Sequence, residues 1–132
     1  MVDIGCGTGA NLPYLREAVG CAGTVIGVDA TPELARRASS RASRWENVHV
    51  LIGDATSLPT RDVDAFIASF VVGLLDDPVE AVDEWLRLGH TGTKMALIDG
   101  VSTGWCPLDV LFGIFVWIGS PSGTRGVLSR LN

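Results

Sequence analysis

The sequence opens on Val2-Asp3-Ile4-Gly5-Cys6-Gly7-Thr8-Gly9, a short apolar run that leads directly into three alternating glycines. A β-branched apolar run followed by such a loop predicts a buried strand that turns sharply into a helix. Glycine suits the turn because it lacks a Cβ and lets the backbone lie against a ligand. Residues 10–19 predict the helix, which Gly20 ends. The stretch therefore predicts the first strand, loop and helix of an α/β fold.

The same alternation of strand and helix signals repeats along the chain. Further strands are predicted over residues 24–29, 48–53, 63–70 and 93–99. Two more helices are predicted where a capping residue precedes a proline, at Thr31-Pro32 and at Asp77-Pro78. Strands that alternate with helices predict a Rossmann-like, doubly wound, mainly parallel sheet in three α/β/α layers. For the helix that follows Asp77, the apolar spacing predicts an inner stripe of Val79, Val82 and Leu86.

Length and composition limit the class of protein. A chain of 132 residues, 47% of them hydrophobic, predicts one globular domain over residues 1–132. Residues 1–104 are assigned to a ligand-binding core, and residues 105–132 to a hydrophobic helix and loop. The net charge of −5 argues against a nucleic-acid partner, because such binding is driven by neutralising phosphates.

Membrane, metal and secretion signals are weak. The longest apolar stretch, residues 110–119, is much shorter than the roughly 20 residues that a membrane span needs. The three cysteines have no zinc-type spacing, so neither a metal site nor a disulfide is predicted. No charged segment precedes an apolar one at the start of the chain, so no signal peptide is predicted and a cytoplasmic location is expected.

The spacing of the glycines discriminates between ligands. A dinucleotide fingerprint is G-x-G-x-x-G, whereas this loop is G-x-G-x-G with Asp3 two residues before the first glycine. Together with the later strand-end acids, the loop resembles the first motif of class I S-adenosylmethionine-dependent methyltransferases, in particular the methyltransferase type 11 group. The resemblance covers about residues 2–100 and implies S-adenosylmethionine as the cofactor.

The resemblance implies roles for the residues at the carboxyl ends of the strands. Asp29 would bind the two ribose hydroxyls, with Ala30 beside it in the cofactor site, and Asp54-Ala55 would hold the adenine. Ser69 and Phe70 would line the pocket loosely. The first strand and loop would contribute the remaining cofactor contacts, from Asp3, Gly5, Cys6, Gly7 and Gly9.

Each assignment has an alternative that the residues leave open. Asp3 could bond the backbone of its own loop or approach the amino end of the cofactor. Asp29 could be a turn residue, and Asp54 could cap the turn into Thr56-Ser57. Packing accounts for Ser69 and Phe70 as well as ligand contact does.

The implied reaction is methyl transfer to a small-molecule or lipid-like acceptor by in-line displacement, which requires orientation more than a covalent nucleophile. No catalytic residue is assigned, because His49 falls in a predicted strand and His90 in a predicted turn. The apolar segment at residues 105–117 is read as core or as a homodimer contact. The alternatives for that segment are a lid over the acceptor and a peripheral contact with a membrane surface.

Two other functions stay open. The related fold has seven strands and a leading helix, whereas the sequence predicts about five strands and no such helix. A non-catalytic or truncated remnant of the fold is therefore one alternative. A nicotinamide-dependent oxidoreductase is the other, and the glycine spacing and Asp3 count against it.

Overall fold

A computed structural model describes residues 1–100 of the chain. In chain order its elements are β1 (Val2–Ile4), α1 (Leu12–Val19), β2 (Val25–Asp29), α2 (Pro32–Ala42), β3 (Val48–Ile52), β4 (Val63–Ser69), a 3₁₀ turn (Val72–Leu74), α3 (Pro78–Arg87) and β5 (Gly89–Ile98). Strands and helices alternate except between β3 and β4, where a loop makes the connection.

The five strands form one sheet in the order β3-β2-β1-β4-β5, and every pair is parallel. The chain moves outward from β1 through β2 to β3, then crosses back to β4 on the other side of β1. This reversal of direction is the place where open α/β sheets bind ligands, beyond the carboxyl ends of the strands. The predicted Rossmann-like, doubly wound class is confirmed.

Each face of the sheet buries its own hydrophobic cluster. On one face, Leu12 and Leu15 of α1 and Ala38 and Ala42 of α2 pack together with the strand residue Val25. The cluster on the opposite face combines side chains of α3 with residues from three strands and a loop: Val2, Ile4, Val28, Leu58, Val63, Phe66, Ala68, Ala81 and Trp85. Helices thus cover both faces, which gives the three α/β/α layers.

The inner face of α3 differs from the predicted one. Ala81 and Trp85, four residues apart, are the side chains that α3 buries, whereas Val79 and Leu86 are 72% and 54% exposed. Val82 packs partly against the core, as expected. The indole of Trp85 explains the rotation: its Nε1–H donates to the carbonyl of Ala55 at 2.7 Å. Burying this large ring beside the sheet turns the aliphatic stripe toward solvent.

The last strand also begins earlier than predicted. β5 starts at Gly89, so His90 lies in a strand and not in a turn. The Oγ1 hydroxyl of Thr93 donates to the carbonyl of Val63 at 2.7 Å and accepts the His90 N–H at 2.7 Å. These bonds join the first residues of β5 to β4 despite a shift in register between the two strands near Val63. The first helix is shorter than predicted and begins at Leu12.

The apolar segment at residues 105–117, with its alternatives of core, dimer contact, lid and membrane contact, lies outside the described residues. Within residues 1–100, no helix is long and apolar enough to cross a bilayer.

Trp85 should be a major source of stability. We expect Trp85→Ala to lower the free energy of unfolding by about 3–5 kcal/mol, because it leaves a cavity between α3 and the sheet. Leu86→Ala, one residue away on the exposed face, should change it by less than about 0.5 kcal/mol. Urea unfolding followed by circular dichroism measures both changes. Similar losses in the two variants would contradict the orientation of α3.

Candidate functional site

The predicted site residues lie at or just after the carboxyl ends of β1, β2, β3 and β4, except for Asp3, which lies within β1. The loop after β1 contains three glycines in the left-handed region, with φ of 67° at Gly5, 55° at Gly7 and 76° at Gly9. A Cβ added at Gly9 would lie 2.7 Å from Leu12 and 3.1 Å from the backbone of Ala38, so this glycine lets α1 approach α2. A Cβ on Gly7 would meet nothing within 4 Å. Gly7 therefore presents bare backbone to open space beside the site.

Asp29 fastens this loop to the end of β2. Its carboxylate accepts the Gly7 N–H at 2.8 Å through Oδ2 and the Thr31 N–H at 2.9 Å through Oδ1. The side chain is only 9% exposed. Both oxygens bond to backbone, as expected for a turn residue. Each also has a further lone pair, because a carboxylate accepts about four hydrogen bonds.

Asp54 and Ala55 follow β3 on the loop that leads to β4. Oδ1 of Asp54 accepts the backbone N–H of Thr56 at 2.8 Å and its hydroxyl at 2.9 Å. These two bonds lower the pKa of Asp54, so its carboxyl is ionised at neutral pH. Asp54 thus caps the turn into Thr56, and its side chain stays exposed. The hydrogen bond from Trp85 to the Ala55 carbonyl holds this loop to α3.

Asp3 is completely buried in the middle of β1. Its Oδ1 accepts a bond of 3.5 Å from the side-chain amide of Asn11, whereas the buried Oδ2 has no hydrogen-bond partner among residues 1–100. Burial raises the pKa of Asp3 to about 6, opposed in part by the Asn11 bond. Of the two alternatives for Asp3, a bond to the backbone of its own loop is not seen within residues 1–100, where the Asn11 amide is the donor; an approach to the amino end of the cofactor stays a prediction.

Ser69, Phe70 and Ala30 complete the predicted set. The Ser69 hydroxyl accepts a bond of 3.4 Å from the Asn11 amide. Phe70 has φ of 58°, a conformation that a bulky residue rarely adopts, and its side chain is 49% exposed. Its N–H donates to the carbonyl of Ile98 at 2.7 Å. Ala30, next to Asp29, is exposed.

Two residues of this edge were missed by the sequence reasoning. Asn11 contacts both Asp3 and Ser69, and Asp99 accepts the Gly73 N–H at 2.7 Å through Oδ2. Asp99 thereby ties the 3₁₀ turn after β4 to the end of β5. For Asn11 the sequence offered only the residue type, and an Asn at the start of a helix is ordinarily interpreted as a helix cap. Asn11 occupies that position but makes no side-chain cap bond.

The other reactive side chains of residues 1–100, those of Cys6, His49 and His90, form no catalytic cluster. Burial, and then the neighbouring Asp3 and Asp29, raise the pKa of the Cys6 thiol to about 12, so it is not a nucleophile. His49 and His90 pair with strand residues near the amino ends of β2 and β4, away from the site. No group of three metal-ligating side chains comes together within residues 1–100.

The buried Asp3 should make stability depend on pH. Its pKa is about 6 in the folded chain against an ordinary 3.8, so the stability that it contributes is complete below about pH 4. That contribution is lost as the pH rises through 6. We expect Asp3→Asn to raise the free energy of unfolding at about pH 7.5 by up to about 3 kcal/mol, and to change it little at about pH 4.

Urea unfolding of both proteins at the two pH values measures this difference. Asp83→Asn, which alters an exposed carboxylate on α3, is the control and should behave like the unchanged chain. A gain in stability of the same size at both pH values would show that ionisation of Asp3 is not its cause.

Comparison with known proteins agrees with this arrangement. A family model described as a methyltransferase domain matches residues 2–97. An arsenite methyltransferase of Halobacterium salinarum is 33% identical over 114 residues, which cover 83% of this chain and 29% of that protein. A demethylmenaquinone methyltransferase of Staphylococcus aureus is 32% identical over 100 residues, 74% of this chain and 42% of that one.

A solved structure shows the same fold. A SAM-dependent methyltransferase from Aquifex aeolicus has a TM-score of 0.67 at 26% identity, and the match covers 89% of this chain and 69% of that structure. The chain spans less than half the length of the two curated relatives. The S-adenosylmethionine prediction is confirmed at the level of the family. With its glycine loop, strand order and motif sequence in agreement, the chain belongs to the methyltransferase domain family.

Proposed function

We propose that this chain carries the cofactor-binding part of an S-adenosylmethionine-dependent methyltransferase that acts on a small-molecule or lipid-like acceptor. One observation supports this most strongly. Two carboxylates, those of Asp29 and Asp54, lie at the carboxyl ends of β2 and β3, and Asp29 holds the N–H of Gly7, whose backbone faces open space; a third, that of Asp3, is buried beside them in β1. Acidic side chains suit a ligand that combines a positively charged sulfonium, an ammonium group, a ribose diol and an adenine amine.

Asp29 has the chemistry to hold the ribose. Its two oxygens are fixed by the N–H groups of Gly7 and Thr31, so the carboxylate is preoriented before any ligand arrives. Each oxygen can accept one more bond, which matches the two hydroxyls of a ribose. The turn role and the ribose role are therefore compatible in a single side chain.

Asp54 and Ala55 have the chemistry to hold the adenine. Oδ1 of Asp54 is occupied by Thr56, and Oδ2 makes no hydrogen bond within residues 1–100, so it is free for an exocyclic amine. The Ala55 carbonyl is turned to Trp85 and is occupied. The backbone N–H of Ala55 remains as the group that could donate to a ring nitrogen of the adenine.

When bound, the cofactor supplies a methyl group on a positively charged sulfur, and hence a good leaving group. The protein would need to hold the acceptor in line with that methyl, an effect that contributes roughly 7–11 kcal/mol in well-oriented reactions. The exposed ring of Phe70 lies at the end of β4, where an acceptor could pack against it. The names of the relatives support a small or lipid-like acceptor, since arsenite and demethylmenaquinone are respectively of those kinds.

Ligand binding tests the proposal. We expect S-adenosylhomocysteine, the demethylated cofactor, to raise the melting temperature of the chain and to bind in calorimetry. Asp54→Ala should weaken that binding about ten- to hundredfold, since it removes a charged hydrogen-bond acceptor. Asp54 is a cleaner choice than Asp29, because Asp29→Ala also releases the glycine loop and should abolish most of the thermal shift.

Asp77→Ala is the matched control. Asp77 is another exposed carboxylate that accepts a backbone N–H, that of Glu80 at 3.0 Å, but it caps α3. Both variants should lose a little stability without ligand, and only Asp54→Ala should lose affinity. A thermal shift with NADH and none with S-adenosylhomocysteine would contradict the proposal and favour the oxidoreductase alternative.

A further inference from the structure

Asn11 occupies the first position before α1, where an asparagine ordinarily caps the helix. Here the side chain makes no cap bond. Its amide nitrogen instead lies 3.5 Å from Oδ1 of Asp3 and 3.4 Å from Oγ of Ser69. A residue type suited to one local bond therefore makes two bonds to other elements of the site.

The two bonds use the two hydrogens of the Asn11 amide nitrogen. A side-chain amide nitrogen has two hydrogens, so one can be donated to the Asp3 carboxylate and the other to the Ser69 hydroxyl. Both partners then act as acceptors. The Ser69 hydroxyl keeps its own hydrogen available as a donor, and the second oxygen of Asp3 is buried with no partner in the described part of the chain.

The two hydrogen bonds of Asn11 lie close to the proposed cofactor site. Asp3 is on β1 and Ser69 is the last residue of β4, the two neighbouring strands at the point where the chain reverses its direction across the sheet. Asn11 bridges them from the start of the helix that follows the glycine loop. One amide thus connects three elements that surround the site.

We propose that Asn11 is a positioning residue of the cofactor site, whose amide ties the Asp3 carboxyl on β1 to the Ser69 hydroxyl on β4 and fixes the pattern of donors and acceptors between the two strands. This inference rests on the proposed cofactor site. It goes further by assigning control of Asp3 to a residue on the adjoining helix.

The charge state of Asp3 gives the inference a specific readout. The groups that face Asp3 are the Asn11 amide, the Asp29 carboxylate on β2 and the Cys6 thiol of the loop. Burial raises the pKa of Asp3, the Asn11 bond lowers it, and the charge of Asp29 raises it further. Removing the Asn11 donor should therefore move the titration of Asp3 to higher pH.

The experiment follows the Asp3 carboxyl carbon by ¹³C NMR in the ligand-free chain, with Asp3→Asn used to assign the signal. In the unchanged protein the midpoint should lie near 6. Asn11→Leu removes the donor at nearly constant volume and should raise the midpoint by about 0.5–1 pH unit. Asn11→Asp replaces the donor with a like charge and should raise it further.

A variant that only lowers the stability of the fold should leave the titration midpoint of Asp3 unchanged. Asn47→Ala is the control, because the Asn47 amide donates to the carbonyls of Gly20 and Gly23 at 2.9 and 2.6 Å, away from the site. It should lower the melting temperature and leave the Asp3 midpoint unchanged. An unchanged midpoint in Asn11→Leu would overturn the inference.

Ser69→Ala tests the tie between the strands and serves if Asn11→Leu does not fold. Without Ser69 the amide is held less firmly, so the Asp3 midpoint should rise by less than it does in Asn11→Leu. The double variant should match Asn11→Leu alone, since coupled residues are not additive. No rise in Ser69→Ala, or independent additive rises, would contradict the proposed bridge.

Calorimetry with S-adenosylhomocysteine between about pH 5 and pH 8 separates this inference from the proposed function. We expect affinity to change with pH around the Asp3 midpoint and to follow that midpoint in each Asn11 variant. Absence of binding at every pH would reject the cofactor site while the NMR titration still decided the role of Asn11. Binding whose pH dependence ignored the shifted midpoint would reject the positioning role.

Discussion

The hydrogen bonds to the carboxylate of Asp29 are the constraint on which the rest of the site depends. Two backbone N–H groups, one from the glycine loop and one from the start of α2, converge on a side chain that is almost entirely buried. Charge-assisted bonds of this kind are short and directional. They set the distance between the β1 loop and the end of β2, and so decide where the open face of Gly7 lies.

Hydrogen bonds from outside the glycine loop also hold the loops of the site in place. Trp85, in the helix on the opposite face from α1 and α2, holds the Ala55 carbonyl of the loop that follows β3. Asp99 similarly holds the turn after β4 by bonding Gly73. The loop after β3 is thus held by a side chain that is completely buried. A substitution in α3 can disturb the Asp54 side of the proposed site through this loop.

Local patterns were enough to predict the fold and to propose where a site lies. The loop glycines, Asp29 and Asp54 are recognisable because they end or closely follow predicted strands, and both acids bond a residue two positions on, Thr31 or Thr56. The predicted inner face of α3 was wrong because the spacing of apolar residues does not show which side chain fills the space beside the sheet. Asn11 and Ser69 are separated by 58 positions, so their contact exists only after the strands pair.

Cys6 gives the molecule a built-in reporter of loop motion. Its sulfur packs so closely on β2 that a Cβ at Gly27 would lie 3.0 Å from it, and burial keeps the thiol protonated. An alkylating reagent can reach this buried sulfur only when the loop moves away from β2, whereas Cys21 is exposed in the folded structure. The ratio of the two labelling rates therefore measures the free energy of local opening, and a ligand that closes the loop slows one rate and spares the other.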